Sequence, residues 1–123
     1  MDQDELEKIL RQMLKMTSNF GTHAFRNVDH YERDGVMVDT SRVFDGGLPF
    51  ETGVAHPQYN GGLVMILEAY RTRDEARIGH RRWVSVMTGL EPPERLEDCY
   101  NAASARLLKA MGEKLIYNRK DRA

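Results

Sequence analysis

The sequence predicts an α+β domain: a small, mostly antiparallel sheet with a ββα core unit, plus N-terminal and C-terminal helices. Apolar residues recur every three or four positions near both termini, and short extended segments between them alternate with glycine turns. Phe50 to Met87 encodes two strands and a capped helix without interruption. A chain of 123 residues suits a single domain, 1–123. Its predicted regions are an N-terminal helix (1–20), the sheet and ββα core (22–90), a C-terminal helix (91–116) and a basic tail (117–123).

The composition is that of a soluble globular protein. Hydrophobic residues make up 41% and charged residues 30% of the chain, and the formal charge of -1 excludes attraction of the whole molecule to nucleic acid or anionic membrane. The single cysteine, Cys99, permits neither an internal disulfide nor a multi-cysteine metal site. No apolar run reaches the roughly 18 residues of a membrane span. We expect no membrane partner, and a cytosolic protein or a member of a soluble assembly.

The N-terminal helix is predicted from Asp4 to Met16. Acidic residues lie near the positive end of its dipole, and Ser18, Asn19 and Gly21 end it. Its apolar stripe either packs on the sheet or binds a partner or a second copy of the chain. The stripe consists of Leu6, Ile9, Leu10, Met13 and Met16.

The first two strands are predicted as a hairpin. Ala24 to Tyr31 and Val36 to Phe44 have the composition of extended segments. Asp34-Gly35 between them is a hairpin signal, because both residue types tolerate positive φ. Asp45-Gly46-Gly47 is predicted to form the next turn.

Two further strands complete the predicted sheet. Phe50 to Ala55 forms one of them, with Gly53 marking a bulge or a close backbone approach. After the turn at Asn60–Gly62, Leu63 to Tyr70 forms the other. Its continuous apolar run predicts a central strand that is buried on both faces.

The helix that follows has the clearest local signal. Thr72 and Glu75 form a Thr-x-x-Glu capping box, and Gly89 can end the helix. One face is predicted to pack on the sheet, with Gly79 allowing a close approach. That face contains Ala76, Gly79 or His80, Trp83 and Met87.

A last helix is predicted to open at Pro92-Pro93 and to run to about Met111 or beyond. We expect the tail from Arg119 to Arg122 to be frayed. The inner stripe of this helix contains Leu96, Tyr100, Ala103, Leu107 and Met111.

About a third of the chain, from Phe50 to Met87, resembles a group of small uncharacterised proteins of tailed phages and prophages. The resemblance consists of a Phe-Glu-Thr strand, a glycine turn and a helix that carries Glu75, Ala76, Gly79, His80 and Trp83. It implies a phage or mobile-element origin, a ββα core with variable flanking helices, and a location in the host cytoplasm or the virion. It implies no catalytic role.

Three arginines form the candidate partner-binding site. Arg73, Arg77 and Arg81 recur at intervals of four, so they share one stripe of the helix, and Arg71 and Arg82 are close in sequence. Guanidinium groups suit carboxylates and phosphates. The stripe is a solvated helix face with local ion pairs, a contact for an acidic protein surface, or a contact for nucleic acid.

The histidines suggest chemistry only weakly. His80 lies near the predicted core face, where a ring nitrogen can bind a strand or loop carbonyl and fix the orientation of the helix. His56 and His80 could also converge, with Asp45 or Glu68, into a metal site or an acid/base pair. No His-x-x-x-His or His-x-His spacing supports that arrangement.

No other residue suggests catalysis. Cys99 is predicted to be a small core residue in the last helix, beside Tyr100, and its acidic neighbours Glu97 and Asp98 disfavour a nucleophilic thiolate. The glycine pairs lack the lysine and the serine or threonine of a phosphate loop, and no serine has the context of a nucleophile. The sequence predicts no catalytic residue, cofactor or metal.

The predicted function is therefore that of a non-catalytic, phage-type protein that acts through protein–protein contacts, as a virion component or a modulator of a host protein. The alternative is a nucleic-acid-binding accessory protein that uses the arginine-striped helix. A metal-dependent or histidine-based enzyme is a third class.

Overall fold

The computed structural model describes residues 2–10 and 27–120 and has an α+β architecture, as the sequence predicts. Four antiparallel strands form one sheet in the order β1-β2-β3-β4, and β5 pairs with β6 in a second, two-stranded sheet. The elements in chain order are α1 (residues 3–10), β1 (Asn27–Arg33), β2 (Val36–Arg42), β3 (Phe50–Ala55), a 3₁₀ turn (Asn60–Gly62), β4 (Met65–Tyr70), α2 (Arg73–Met87), β5 (Arg95–Glu97), α3 (Ala103–Ala110) and β6 (Ile116–Asn118).

The first hairpin forms where the sequence predicts it. Asp34 and Gly35 have φ values of 53° and 82°, and the turn joins the closing pair Arg33 and Val36. Positive φ at both central residues matches the twist of the flanking strands. The predicted start of β1, at residues 24–26, lies outside the described residues.

Gly53 marks both a bulge and a close approach. The register between β3 and β4 shifts between Thr52 and Gly53. A Cβ atom at Gly53 would lie 3.1 Å from Cγ1 of Val64 and 3.4 Å from Cδ1 of Ile66. The predicted bulge is confirmed. The close neighbours are side-chain atoms rather than backbone, since the carbonyl oxygen of Met65 would be 3.8 Å from that Cβ atom.

The prediction that β4 is a central strand is wrong, since β4 lies at the edge of the sheet. It is nevertheless largely buried, because the chain after β5 covers that edge: the amide of Cys99 donates to the carbonyl of Ile66 at 2.9 Å. A covered edge strand needs the same apolar sequence as a central strand.

Helix α2 begins at its predicted cap. The Thr72 hydroxyl accepts from the amide of Glu75 at 3.2 Å. The carboxylate of Glu75 accepts from the amide of Arg71 at 3.3 Å, one residue before the cap, and this is a variation on the predicted reciprocal bond. Gly79 lies against Tyr70, whose hydroxyl oxygen would be 2.2 Å from a Cβ atom at that position. The predicted close approach of helix and sheet is confirmed.

The predicted helix over 91–116 is largely wrong. Leu96 lies in β5 opposite Tyr117 of β6, and only Ala103–Ala110 is helical. Tyr100 has a non-helical backbone, with φ at 57°, and its amide donates to the Asp98 carboxylate at 2.7 Å. Such side-chain to backbone bonds compete with a helix.

The structure also differs from the sequence prediction at Leu107 and in the C-terminal tail. Leu107, predicted to face inward, is 50% exposed. Arg119 and Lys120 are held in place rather than frayed, because their amides donate to the carbonyls of Glu94 at 2.8 Å and Gln58 at 2.7 Å. Residues 121–123 lie outside the described part of the chain.

The main core joins the sheet, α2 and the C-terminal elements. Leu10 of α1 is buried in it, and Leu6 packs against it, so the described part of the N-terminal helix contacts the core. Met13 and Met16 of the predicted stripe lie outside the described residues. The largest fully buried apolar side chains are Tyr59, Met65, Met87, Leu108, Leu115, Val38 and Val54.

Candidate functional site

A row of buried polar side chains lies between α2 and the sheet. The hydroxyl oxygens of Thr40 and Thr52, which are cross-strand partners, are 2.7 Å apart. Thr52 also bonds the hydroxyl of Tyr70 at 2.9 Å, and Thr40 bonds Nδ1 of His80 at 2.8 Å. All four side chains are buried. The row provides each of these groups with a hydrogen-bond partner inside the protein.

His80 orients the helix, as predicted, but its partner is a threonine hydroxyl rather than a backbone carbonyl. Its Nε2 lies 3.8 Å from a carboxylate oxygen of Asp29. Burial lowers the pKa of His80, and the charges of Asp29 and Asp39 offset only part of this effect. The ring is therefore neutral at pH 7, which suits a structural position.

A second polar group, which the sequence analysis did not single out, lies across the first hairpin. His30 and Asp39 are cross-strand partners, with Nδ1 and Oδ1 2.8 Å apart, and Asn27 donates to the same carboxylate oxygen at 2.8 Å. Counting outward from the Asp34-Gly35 turn predicts the pairing of His30 with Asp39, so this contact could have been found from the hairpin register.

His56 has surroundings different from those of His80. Its Nδ1 accepts from the amide of Gln58 at 3.1 Å, and its ring makes an edge contact with Tyr59 at 5.1 Å between centroids. Burial lowers the pKa of His56, while a hydrogen bond with the Met87 backbone partly raises it. The hydrogen bonds and ring contact described for His56 and His80 have no partner residue in common.

His56 also contributes to a groove of about 760 Å³. The tip of the first hairpin, the segment after β3 and the C-terminal end of α2 bound this groove, and the fully exposed Leu90 lies at it. Within residues 2–10 and 27–120, no three or more His, Cys, Asp or Glu side chains are placed to hold a metal ion.

Glu68 and Asp45, the carboxylates that the sequence analysis considered as partners of His56 and His80, interact with other residues. Glu68 accepts from the indole N–H of Trp83 at 2.9 Å and pairs with Arg82. Burial raises the pKa of Glu51, and the charge of Asp45 raises it further. Trp83 is half-buried and packs against the main core, so it lies on the inner face of α2 as predicted but is not fully buried.

Glu51 is a buried carboxyl group that the sequence analysis missed. The Asn101 amide donates to it at 3.0 Å, and the same side chain bonds both backbone groups of Leu48. Burial raises the pKa of Glu51 to about 7; the bond from Asn101 lowers it, while Asp45 and Asp98 raise it further. No local signal marks this position, because its partner lies 50 residues away.

Cys99 is partly buried and lies in the segment between β5 and α3, not in a helix. Burial, followed by the charge of Asp98, raises the pKa of its thiol to about 12. The thiol is therefore protonated at pH 7, which agrees with its predicted non-nucleophilic role.

The three predicted partner-binding arginines differ in their contacts. The guanidinium of Arg73 lies over the ring of Phe50, 5.5 Å from its centroid. Arg77 pairs with Asp74 at 3.3 Å on the surface. Arg81 is exposed and has no ion pair within the described part of the chain. Ile78, beside Arg77 and one turn before Arg81, is 57% exposed.

Comparison of the chain with protein-family models, curated proteins and solved structures finds no match in any of the three. Among the described helices, none is long and apolar enough to cross a membrane. The α+β class and the site geometry are therefore the features from which a function can be proposed.

Proposed function

We propose that this chain is a non-catalytic, phage-type protein that acts through protein–protein contacts, either as a virion component or as a modulator of a host protein. Its partner-binding face consists of Arg73, Arg77 and Arg81 together with Ile78. The observation that carries the proposal is the exposure of Ile78, 57%, in the same helix segment as the exposed Arg77 and Arg81. A single exposed isoleucine is ordinary on a protein surface. Together with neighbouring arginines on a fixed helix, however, it forms a suitable binding surface.

The orientation of α2 is fixed by contacts on its inner side. His80 bonds Thr40, Trp83 bonds Glu68, and Gly79 allows Tyr70 to lie directly beneath the helix. A binding face on such an element loses little conformational freedom when a partner docks. The outer side chains therefore meet a partner from a preorganised backbone.

An acidic protein surface suits this face. The planar guanidinium of Arg81 has no carboxylate partner within the described residues, and its N–H groups can bind a carboxylate in a bidentate manner. The Asp74 side chain that pairs with Arg77 is 88% exposed. Such exposed pairs contribute little stability, so a partner's carboxylate can replace it.

The non-catalytic character is supported by the surroundings of the buried polar groups. Thr40, Thr52, Tyr70 and His80 bond one another within the fold, and burial keeps the Cys99 thiol protonated. The resemblance of Phe50 to Met87 to tailed-phage proteins supports the proposed origin. Nucleic acid is the alternative ligand for the same face, because guanidinium groups bind phosphates as well as carboxylates.

The test is quantitative capture of partners from phage-infected cells by the tagged protein at about 0.15 M salt, where charges are screened beyond about 8 Å. We compare the wild type with Ile78→Asp and with the double variant Arg77→Gln/Arg81→Gln. The matched control is Arg95→Gln/Lys114→Gln, which removes the same charge from two exposed positions outside α2. We expect both α2 variants to lose the partner and the control to retain it. Equal recovery by all variants would contradict the proposal.

A further inference from the structure

Strand β1 forms the edge of the four-stranded sheet opposite to β4. The β4 edge is covered, because the amide of Cys99 bonds the carbonyl of Ile66. Among the backbone hydrogen bonds of residues 2–10 and 27–120, none joins β1 to a segment other than β2. An open strand edge presents N–H and C=O groups that can pair with another chain. The β1 edge is therefore a candidate interaction surface.

The register of the first hairpin shows which backbone groups of β1 face outward. Arg33 and Val36 close a two-residue turn as a hydrogen-bonded pair, and such pairs alternate along an antiparallel ladder. The N–H and C=O groups of His30 and Glu32 consequently point away from β2. The amide of His30 agrees with this direction, because it donates at 2.8 Å to the side chain of Asp29 and not to β2. The outward groups are thus those of two alternate residues.

We propose that β1 pairs antiparallel with β1 of a second copy of this chain, with the two-fold axis at Tyr31. In that register His30 of each copy lies opposite Glu32 of the other copy, and the two residues exchange both backbone N–H···O bonds. The contact is the same on both copies, so it closes as a dimer. It joins the two four-stranded sheets into one continuous sheet. The arginines of α2 take no part in it, so the inference does not depend on the partner-binding face.

The side chains of β1 are complementary in this register. Asp29 lies opposite Arg33 of the second copy, and the two Tyr31 side chains meet at the axis on the same face. A pairing centred on Glu32 instead places two carboxylates directly opposite each other, which is destabilising. A pairing centred on His30 places Asp29 opposite Tyr31, so the charge pair is lost. Because charges on an edge strand oppose pairing with unrelated strands, this edge favours a second copy of itself.

The charged groups of the edge have only weak contacts in the single chain. Arg33 lies 3.6 Å from Asp34, and the two side chains are 77% and 89% exposed. Such a pair contributes little stability, so Asp29 of a second copy can replace it. The Asp29 carboxylate must also leave the amide of His30 before the backbone bond forms. Because of this exchange and the short edge, we expect a weak dimer, with a dissociation constant between about 1 µM and 1 mM.

The first experiment measures dimerisation of the full chain by sedimentation equilibrium, from about 5 µM to about 0.5 mM protein. Glu32→Pro removes an outward amide and leaves the bonds to β2 in place. We expect this variant to weaken dimerisation by at least about 10-fold, since each copy loses a backbone bond to the other. Glu32→Ala keeps the amide and is the matched control, with an expected loss of less than about 3-fold. Thermal melting shows whether the proline variant keeps the fold of the single chain.

The second experiment exchanges the charges and does not depend on proline. Arg33→Glu places a carboxylate opposite Asp29 of the second copy and should weaken dimerisation by about 10-fold. The double variant Asp29→Arg/Arg33→Glu restores opposite charges across the axis, so it should recover the wild-type dissociation constant within about 3-fold. Arg95→Glu, which makes the same charge change at an exposed position of β5, is the control and should dimerise like the wild type.

Amide hydrogen exchange gives an independent measurement. The Glu32 amide should exchange more slowly as the protein concentration rises, whereas the Tyr31 amide, which faces Val38 of β2, should be protected at every concentration. A wild type that remains monomeric at about 0.5 mM would overturn the inference. So would a dimer that Glu32→Pro leaves unchanged, because another surface would then hold the copies together. Failure of the double charge variant to recover dimerisation lost in Arg33→Glu would also contradict the register.

Discussion

The amide of Asn101 donates a 3.0 Å hydrogen bond to the buried carboxyl group of Glu51 and thereby joins the C-terminal region to the sheet. Asn101 also bonds both backbone groups of Leu48, and the amide of Gly47 donates to its carbonyl. One side chain thus connects β3, the loop before it and the segment before α3. The protonation state of Glu51 is therefore linked to the stability of this contact.

The first prediction concerns Glu51→Gln. Burial raises the pKa of Glu51 from 4.5 to about 7, so its stabilising contribution is fully present below pH 4.5 and is lost as the pH rises through about 7. Glutamine keeps an acceptor for Asn101 but does not ionise. The variant should exceed the wild type in free energy of unfolding by on the order of 1 to 3 kcal/mol at pH 8 and by little at pH 4.5. Denaturant unfolding at both pH values measures this, with the exposed Glu94→Gln as control. An equal effect at both pH values would contradict the linkage.

The second prediction concerns His80 and acid. Burial lowers the pKa of His80, so the neutral ring contributes stability above the unfolded value of about 6.5, and this is lost as the pH falls through the folded pKa. His80→Gln should lower the free energy of unfolding at pH 7.5 by about 1 to 3 kcal/mol, because the buried Thr40 hydroxyl loses its hydrogen bond with the imidazole ring.

The pH dependence of stability distinguishes this effect from that of Glu51, which has the opposite sign. In a Glu51→Gln background, stability should fall between pH 7 and pH 5, and His80→Gln should reduce that fall. His56, whose pKa burial also lowers, should supply the remainder. An unchanged slope after His80→Gln would show that the ring is not held neutral by the fold.

The third prediction concerns the start of α2. Thr72→Ala should lower the free energy of unfolding by about 0.5 to 2 kcal/mol, because the amide of Glu75 loses its side-chain acceptor. Ser85→Ala, an exposed position inside the same helix, is the control and should change stability by less than about 0.5 kcal/mol. Equal effects of the two substitutions would count against the cap.

The fourth prediction concerns the close approach of Gly79 to Tyr70. A Cβ atom at Gly79 would lie 2.2 Å from the Tyr70 hydroxyl oxygen and 2.3 Å from its Cε1. Gly79→Ala should therefore destabilise the fold by about 1 to 3 kcal/mol, although alanine is the better helix former. At Gly89 the nearest atoms would be 3.6 Å away, so Gly89→Ala should be near neutral. Thermal melting compares the two, and a stabilising Gly79→Ala would refute the packing.

The sequence alone determined the elements whose signals are local. The Asp34-Gly35 turn needs only residues that accept positive φ, and the cap of α2 needs only Thr72 and Glu75, three residues apart. Gly53 and Gly79 were recognisable because missing side chains mark places where chains approach closely. The turn and the cap depend only on neighbours along the chain, so their chemistry is evident before folding.

Tertiary structure decided the rest, because the groups involved are distant in sequence. His80 meets Thr40 across 40 residues and Glu51 meets Asn101 across 50, and neither residue type indicates its partner. The periodic apolar residues after Pro93 fit a helix, but Leu96 is buried instead by pairing with Tyr117 in a second sheet. Arg42 and Arg73, which are far apart in sequence, both lie over the ring of Phe50 for the same reason. Which faces meet depends on the packing of the whole chain, and local propensity does not encode it.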